Sequence, residues 1–169
     1  MRLLTFALAS VVSVGASASK EEVECLAQNI YHEARGQGVD GRFAVAHVTI
    51  NRMHHKRFPD TVCAVVKQGR TKPSWKDGSP IPIKNMCQFS WYCDGKTDDI
   101  LEPKAYLAAK IAAYRVYHNR VSGFELNSKW NDSVQGAMWY HATQVKPYWI
   151  TDMQKVDRID NHIFYIAGN

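Results

Sequence analysis

The 169-residue chain lacks the sequence features that mark several large classes of protein. It has no internal repeat, no low-complexity tract and no linker long enough to separate two folded domains. After the first nineteen residues, no apolar run approaches the roughly twenty residues that a membrane span requires. A basic arm, a zinc finger and an RNA-binding signature are also absent, which argues against nucleic acid as a partner. These absences leave one domain, large enough to bury roughly two-thirds of its unfolded surface.

Common catalytic and metal-binding signatures are missing as well. Residues 32–35 (HEAR) begin like the H-E-x-x-H motif of zinc peptidases, but position 36 is Gly where the second metal-sharing His is needed. The other histidines show no ligand spacing, and neither a G-x-S-x-G elbow nor a locally supported Cys-His pair occurs. We therefore expect neither a metal nor another cofactor.

The N-terminus differs in kind from the rest of the chain. Arg2 precedes an apolar run of about a dozen residues, and residues 16–18 (ASA) have the small-x-small form of a signal-peptidase site. We interpret residues 1–18 as an export signal, with a releasable membrane anchor or a buried helix of the fold as alternatives. Export predicts a location in the periplasm, in the cell wall or outside the cell, with transient membrane contact through this segment.

Cysteine is scarce, with four residues at positions 25, 63, 87 and 93. Export would permit disulfides, and four cysteines allow three pairings among which the sequence does not choose. Cys87 and Cys93 flank only five residues and form the easiest bridge to close. Cys25 and Cys63 would then tie two helices together. Four free, buried thiols are the alternative.

Charge of either sign is present only in modest excess. Lys and Arg number 21 against 16 Asp and Glu, a net charge of +5. The cations are scattered, which is typical of a solvated surface, and their excess suits an anionic polymer such as a bacterial wall. We expect the protein to act as a monomer.

The spacing of apolar and turn-forming residues predicts a mostly helical α+β domain. Asp40 and Asp60 are the expected helix caps, and Pro103 fits the first turn of a long helix. Residues 69–95 predict an irregular loop or a small β region, and a hairpin is expected around residues 159–161. The predicted helices are residues 20–35, 40–53, 61–67 and 104–119.

Glu33 falls on the apolar face of the first predicted helix. It lies seven residues after Leu26 and three after Ile30, so it shares their core-facing stripe. Burial and the negative end of the helix dipole would both raise the pKa of this carboxyl group. Glu33 is therefore either tolerated by the fold or a proton donor.

Two segments combine aromatic rings with amide, hydroxyl or imidazole groups. One contains Gln88, Ser90 and Trp91, and the other contains Tyr140 and His141. Such mixtures suit a sugar-binding groove, because pyranose faces stack on rings while hydroxyl groups take hydrogen bonds. Packing in the core is the alternative.

Six blocks of the sequence, in order, resemble the cell-wall hydrolase family of spore cortex-lytic enzymes, that is, the SleB-like catalytic domain. Together they cover nearly everything from about Glu22 to Tyr165, which defines a domain at residues 22–169. The blocks are residues 25–36 (CLAQNIYHEARG), 44–52 (AVAHVTINR), 58–66 (FPDTVCAVV), 87–95 (CQFSWYCDG), 136–141 (GAMWYH) and 162–165 (HIFY).

The resemblance implies a lysozyme-like fold that cleaves the glycan strands of peptidoglycan, with Glu33 as the catalytic acid. A structural pair of Glu33 with Arg35 or Arg52 is the alternative. Ordinary glycoside hydrolysis uses two carboxyl groups, and only Asp94 stands in the aromatic cluster as a second acid. The second Glu usual in the family pattern is Gln37 here. This favours a single-Glu lytic transglycosylase, acting between N-acetylmuramic acid and N-acetylglucosamine, over a muramidase.

Supporting roles follow as hypotheses. We expect Gln88, Ser90 and His141 to contact the sugar and Trp91 to stack on it, while Tyr140 orients Glu33 or steadies the oxocarbenium ion. A non-catalytic peptidoglycan-binding module and a zinc-dependent wall peptidase are the rival functions. A bacterium remodelling its own wall, a germinating spore and a phage lysing its host could each use such a domain.

Overall fold

Three long helices form the core of the protein in a computed structural model, which describes residues 13–121 and 132–168. These are α1 (Ser13–Ala34), α2 (Val39–Met53) and α4 (Pro103–Arg120), with a short α3 (Val62–Val66) between them. Leu26 and Ile30 of α1 are fully buried, as their spacing predicts, and Ala109 and Ala113 of α4 pack in the same cluster. Small side chains let two helices approach closely, so α1 and α4 share the largest helical contact.

The first helix begins earlier than predicted. α1 starts at Ser13, inside the predicted export segment, while residues 1–12 of that segment lie outside the described part of the chain. Within the described residues, no helix combines the length and the apolar character needed to cross a membrane.

The predicted capping residues of α2 and α3 are wrong. Asp40 lies inside the first turn of α2, and the cap is supplied from far along the chain, because Asp160 Oδ2 accepts a hydrogen bond from Gly38 N (2.8 Å). In α3, Thr61 Oγ1 accepts from Ala64 N (3.2 Å), one residue later than the predicted Asp60. The long helix does begin at Pro103, as expected.

The predicted irregular region is a two-stranded antiparallel ribbon, formed by β1 (Gly69–Pro73) and β2 (Pro80–Cys87). A 3-10 turn at Ser90–Cys93 follows, and the Cys87–Cys93 disulfide closes it onto the end of β2. A second disulfide, Cys25–Cys63, ties α1 to the start of α3. This is the pairing expected if the short Cys87–Cys93 loop closes.

The C-terminal region forms a three-stranded antiparallel sheet in the order β3 (Trp139–Ala142), β5 (His162–Ala167), β4 (Met153–Ile159). β4 and β5 make the predicted hairpin, and Asp160 in its turn adopts a left-handed conformation (φ +49°). Phe164 of β5 is fully buried against Ala44 and Val48 of α2. The fold is thus the predicted α+β type, with α2 between the helical core and the sheet.

Candidate active site

Glu33 and Tyr140 meet where the helical core faces the sheet. The last turn of α1 presents Glu33, β3 presents Tyr140, and the Tyr140 hydroxyl donates to Glu33 Oε2 (2.9 Å). Burial raises the pKa of Glu33, while the hydrogen bond from Tyr140 and the positive charge of Arg52 lower it in part. Glu33 therefore keeps its proton to a higher pH than an exposed Glu, as expected of a general acid.

Arg52 is a buried cation beside this pair. Its Nε donates to the Met138 carbonyl oxygen (2.8 Å), and its guanidinium group lies over the rings of Phe89 (5.0 Å) and Phe58 (5.5 Å). Burial lowers the pKa of Arg52, and the nearby Tyr140 and Glu33 oppose that shift. Among the described residues, no ion pair within 4 Å joins Arg52 to Glu33, so Arg52 acts on the acid through its field.

Helix α2 holds the strand that carries Tyr140. Asn51 Nδ2 donates to the Ala137 carbonyl oxygen (3.2 Å), and Arg52 donates to the next carbonyl, that of Met138. Two successive residues of one helix thus donate hydrogen bonds to two successive carbonyl groups just before β3. These bonds fix where β3 begins and so help to position Tyr140 relative to Glu33.

Asp132 anchors the turn that leads into β3. Its carboxylate accepts from Asn51 Nδ2 (2.9 Å), Val134 N (3.0 Å) and Gly136 N (2.6 Å). Arg120 at the end of α4 lies 3.6 Å from the same carboxylate. The turn requires Gly136, whose φ of +81° disfavours any residue with a side chain.

Two linked hydrogen bonds, one of them fully buried, hold Trp91 against α1. Trp91 Nε1 donates to Asn29 Oδ1 (2.9 Å), and Asn29 Nδ2 donates to Thr49 Oγ1 (3.0 Å). The indole also stacks on His32, with ring centroids 4.3 Å apart, and burial lowers the pKa of that His. Because His32 precedes Glu33 in α1, the Trp91 ring lies against the helical turn that carries the acid.

Gln88 and Ser90 are both exposed, on either side of the buried Phe89. The backbone N–H of Gln88 donates to the Gln68 carbonyl oxygen (2.8 Å), which fixes the segment that carries the two side chains. In the part of the chain that the structure describes, neither side chain has a hydrogen-bond partner within the protein. Both are therefore available to a ligand.

His141 lies apart from this group. Successive residues of a strand point to opposite faces, so His141 faces away from Glu33 while Tyr140 faces it. Its ring is buried, with Nε2 at 2.9 Å from the Tyr165 hydroxyl and Nδ1 at 2.8 Å from the Ala142 carbonyl oxygen. The predicted sugar contact of His141 gains no support from this position.

The sequence analysis missed Asn29 and Asn51, and it considered Arg52 only as a structural partner of Glu33. A signal existed for Asn29, because it precedes Glu33 by four residues and so shares its buried face. Asn51 and Arg52 stand at the end of α2 among apolar residues, but which main-chain groups they bind depends on contacts about 86 residues away.

Two solved structures share the fold. The catalytic domain of SleB from Bacillus cereus matches with a TM-score of 0.57 at 23% identity, covering 87% of this chain and 91% of that one. The catalytic domain of the germination-specific lytic transglycosylase SleB from Bacillus anthracis matches with a TM-score of 0.58 at 22% identity, covering 94% and 100%.

Curated relatives are spore cortex-lytic enzymes. That of Bacillus subtilis is 24% identical over 146 residues, which make up 86% of this chain and 38% of the relative. That of Oceanobacillus iheyensis is 37% identical over 67 residues, or 40% of this chain and 24% of the relative. The chain thus spans only about a quarter to two-fifths of the length of these relatives.

A family model described as cell wall hydrolase matches residues 36–165, beginning three residues after Glu33. The match takes in well over half of the chain, including the ribbon, β3, β4 and β5 as far as Tyr165. The chain therefore belongs to the cell wall hydrolase family.

Proposed function

We propose that this member of a family of wall-degrading enzymes cleaves the glycan strands of peptidoglycan, between N-acetylmuramic acid and N-acetylglucosamine, as a single-carboxylate lytic transglycosylase. The observation that carries the proposal is the hydrogen bond between Tyr140 and Glu33, whose pKa burial raises. One buried acid, with a raised pKa, follows His32, on which Trp91 stacks, and the exposed Gln88 and Ser90 lie in the segment just before Trp91. The description of the matched family supplies the cell wall as the class of substrate.

The chemistry needs one carboxyl group used twice. Protonated Glu33 donates to the glycosidic oxygen as the C1–O bond breaks, which leaves an oxocarbenium ion and an ionised carboxylate. That carboxylate then takes the proton of the muramic C6 hydroxyl as its oxygen bonds to C1, giving a 1,6-anhydro product and restoring Glu33. The hydrogen bond from Tyr140 favours the ionised form, so it stabilises Glu33 between the two steps.

Gln37 supports the one-carboxylate route. Its side-chain Oε1 accepts from Asn161 N (3.1 Å) in the turn between β4 and β5. The position that the family pattern usually fills with a second Glu is therefore occupied by a neutral side chain in a structural contact. Hydrolysis would need a second acid or base placed across the bond, about 5 to 10 Å from the first.

The substrate contacts and the cellular setting belong to the same proposal. Gln88 and Ser90 bind the acetamide or ring hydroxyl groups, and the exposed part of Trp91 lines the groove. Residues 1–18 direct export, after which the domain at residues 22–169 works as a monomer outside the cytoplasm. The two disulfides support this setting, because such bonds persist in oxidising compartments.

Mass spectrometry of fragments released from purified peptidoglycan tests the function. The wild-type chain should release anhydro-muramic ends, and Glu33→Gln should lower their rate of release at least about a hundredfold. Glu21→Gln, the same change at an exposed position of α1, should leave the rate unchanged.

Other products would change the assignment. Reducing muramic ends would make the enzyme a muramidase and require a second acid, for which Asp94 is the first candidate. If neither protein releases fragments but both bind sacculi, the chain is a peptidoglycan-binding module.

A further inference from the structure

Helix α4 exposes an apolar stripe on the side that faces away from the core. Leu107, Ile111 and Tyr114 are 57%, 47% and 56% exposed. At 3.6 residues per turn they lie within about 60° of one another around the helix. The opposite side of α4 is already buried in the core through residues such as Ala109 and Val116. The helix is thus apolar on two sides, and among the described residues nothing covers the outer one.

The stripe is bordered by positive charge. Residues 103–120 contain no Asp or Glu. By the same helical geometry, Lys104 and Arg115 flank the stripe on one side and Lys110 flanks it on the other. From α1, Lys20 and Glu24 adjoin the stripe, and the Glu24 carboxylate accepts from the Tyr106 hydroxyl. From the start of α2, Arg42 adjoins it. Among the described residues, five cations and one carboxylate border the stripe.

A recess between α2 and α4 continues the apolar surface. It encloses about 180 Å³, and Arg42 and Arg115 contribute to its lining. Its other lining residues are apolar: Val39, Phe43, Ala108, Ile111 and Ala112. We call the stripe, its flanking cations and this recess the α4 surface.

We propose that the α4 surface docks on an anionic lipid membrane. Such a membrane supplies phosphates for the cations and an apolar interior for Leu107, Ile111 and Tyr114, which is how amphipathic helices bind in the plane of a bilayer. A polyanion of the wall would use the cations and leave the apolar stripe in water. A second copy of the chain would bring cations against cations. The inference goes beyond the proposed function, because Glu33 plays no part in it.

Flotation of the full chain with lipid vesicles tests the proposal. The chain should float with phosphatidylglycerol vesicles and bind phosphatidylcholine vesicles at least about tenfold more weakly. The triple variant Leu107→Ser, Ile111→Ser, Tyr114→Ser should lose at least about tenfold in partitioning onto the anionic vesicles. The matched control removes three exposed apolar side chains elsewhere (Trp75→Ser, Val145→Ser, Tyr148→Ser) and should bind within about twofold of wild type.

A charge variant keeps the test decisive if the triple variant does not fold. Lys104→Glu with Lys110→Glu changes two exposed side chains, so folding is retained, and binding to anionic vesicles should again fall at least tenfold. Unchanged binding by the charge variant, or equal binding to both kinds of vesicle, would overturn the proposal and assign attachment to residues 1–18. A change in oligomeric state in place of vesicle binding would make the surface a self-association site and overturn it equally.

Discussion

The helical core and the β1–β2 ribbon hold their residues in opposite ways. In the core, Leu26, Ile30 and even the polar Asn29 are fully buried, and the amide of Asn29 is hydrogen-bonded at both ends. In the ribbon, all five residues of β1 are exposed, and most of β2 is too. A short disulfide loop, the buried Phe89 and the Gln88–Gln68 backbone contact attach the ribbon to the core.

This difference separates the chemistry from the proposed sugar contacts. Glu33 and Tyr140 are held by elements packed on α2, whereas Gln88 and Ser90 stand next to the exposed ribbon. Reacting groups must be placed to within a fraction of an ångström, while contacts that bind a long polymer tolerate a more adaptable wall. Changes in the core should therefore affect stability and turnover together, and changes near the ribbon should affect substrate binding.

The two disulfides provide the strongest contrast. Replacing Cys25 and Cys63 by Ala opens a loop with a sequence separation of 38, which should lower the free energy of unfolding by about 4 kcal/mol. Replacing Cys87 and Cys93 opens a separation of only 6 and should cost about 2 kcal/mol. Denaturant titration measures both. Hydrogen exchange should speed up in β1 and β2 of the second variant while α1 stays protected, and uniform acceleration would contradict the separation of the two regions.

Substitutions of two amide side chains, one in the core and one near the ribbon, test the same comparison with both disulfides intact. Asn51→Ala removes one donor to Asp132 and the side-chain donor to the Ala137 carbonyl oxygen, so it should cost about 3 kcal/mol and lower turnover as β3 shifts. Gln88→Ala removes an exposed amide and should change stability by less than about 0.5 kcal/mol while raising KM. Thermal unfolding measures the change in stability of both variants, and steady-state kinetics measures their kcat and KM. A large loss of stability in Gln88→Ala would mean that Gln88 supports the fold and would contradict its proposed role in substrate binding.

Tyr140→Phe separates catalysis from packing at the contact between helix and sheet. The ring remains and only the hydroxyl is lost. We therefore expect kcat to fall about tenfold, while the free energy of unfolding falls by less than about 1 kcal/mol. Glu33 must be protonated to act as an acid, so activity falls as pH rises through its pKa. The hydrogen bond lowers that pKa, hence its removal should move the basic limb of kcat/KM to higher pH. Equal losses of turnover and stability, with an unmoved limb, would favour a structural role.

Gln37→Glu should have the smallest effect and tests why this position is neutral. The new carboxylate would lie beside Asp160, whose side chain caps α2 at Gly38. Repulsion should cost about 0.5 to 1 kcal/mol near pH 7 and raise the pKa of the new group, so the cost should vanish as pH falls below about 4. Gln37→Ala is the control, because it loses the Asn161 contact without adding charge, and its cost should not depend on pH.

The parts of the fold that could be predicted depend on local spacing. The stripe through Leu26 and Ile30 located Glu33 on the buried side of α1, and Pro103 marked the start of α4. The turn at Asp160 and Asn161 was likewise visible between two strand-like runs. Each of these signals lies within about one or two turns of the residues that it organises.

The parts that could not be predicted depend on partners far along the chain. Asp160 caps α2 across 122 residues, and nothing near Gly38 indicates which carboxylate arrives. The position of Arg52 over the rings of Phe58 and Phe89 depends on how the segment after the ribbon packs against α2. The expected sugar contact of His141 is different, because the alternation of side chains along a strand already places His141 and Tyr140 on opposite faces.

That alternation also governs which changes in length the protein tolerates in evolution. The approach to β3 is held at both ends, at Asp132 by Asn51 and at Met138 by Arg52. Inserting or deleting one residue between Met138 and Tyr140 would turn the imidazole of His141 toward the acid and the phenol toward Tyr165. A change of two residues would turn Tyr140 back toward Glu33 but would shift it along the strand, away from its present position beside the acid. Homologous chains should therefore vary in length after Ala142 and keep a constant number of residues between Met138 and Tyr140.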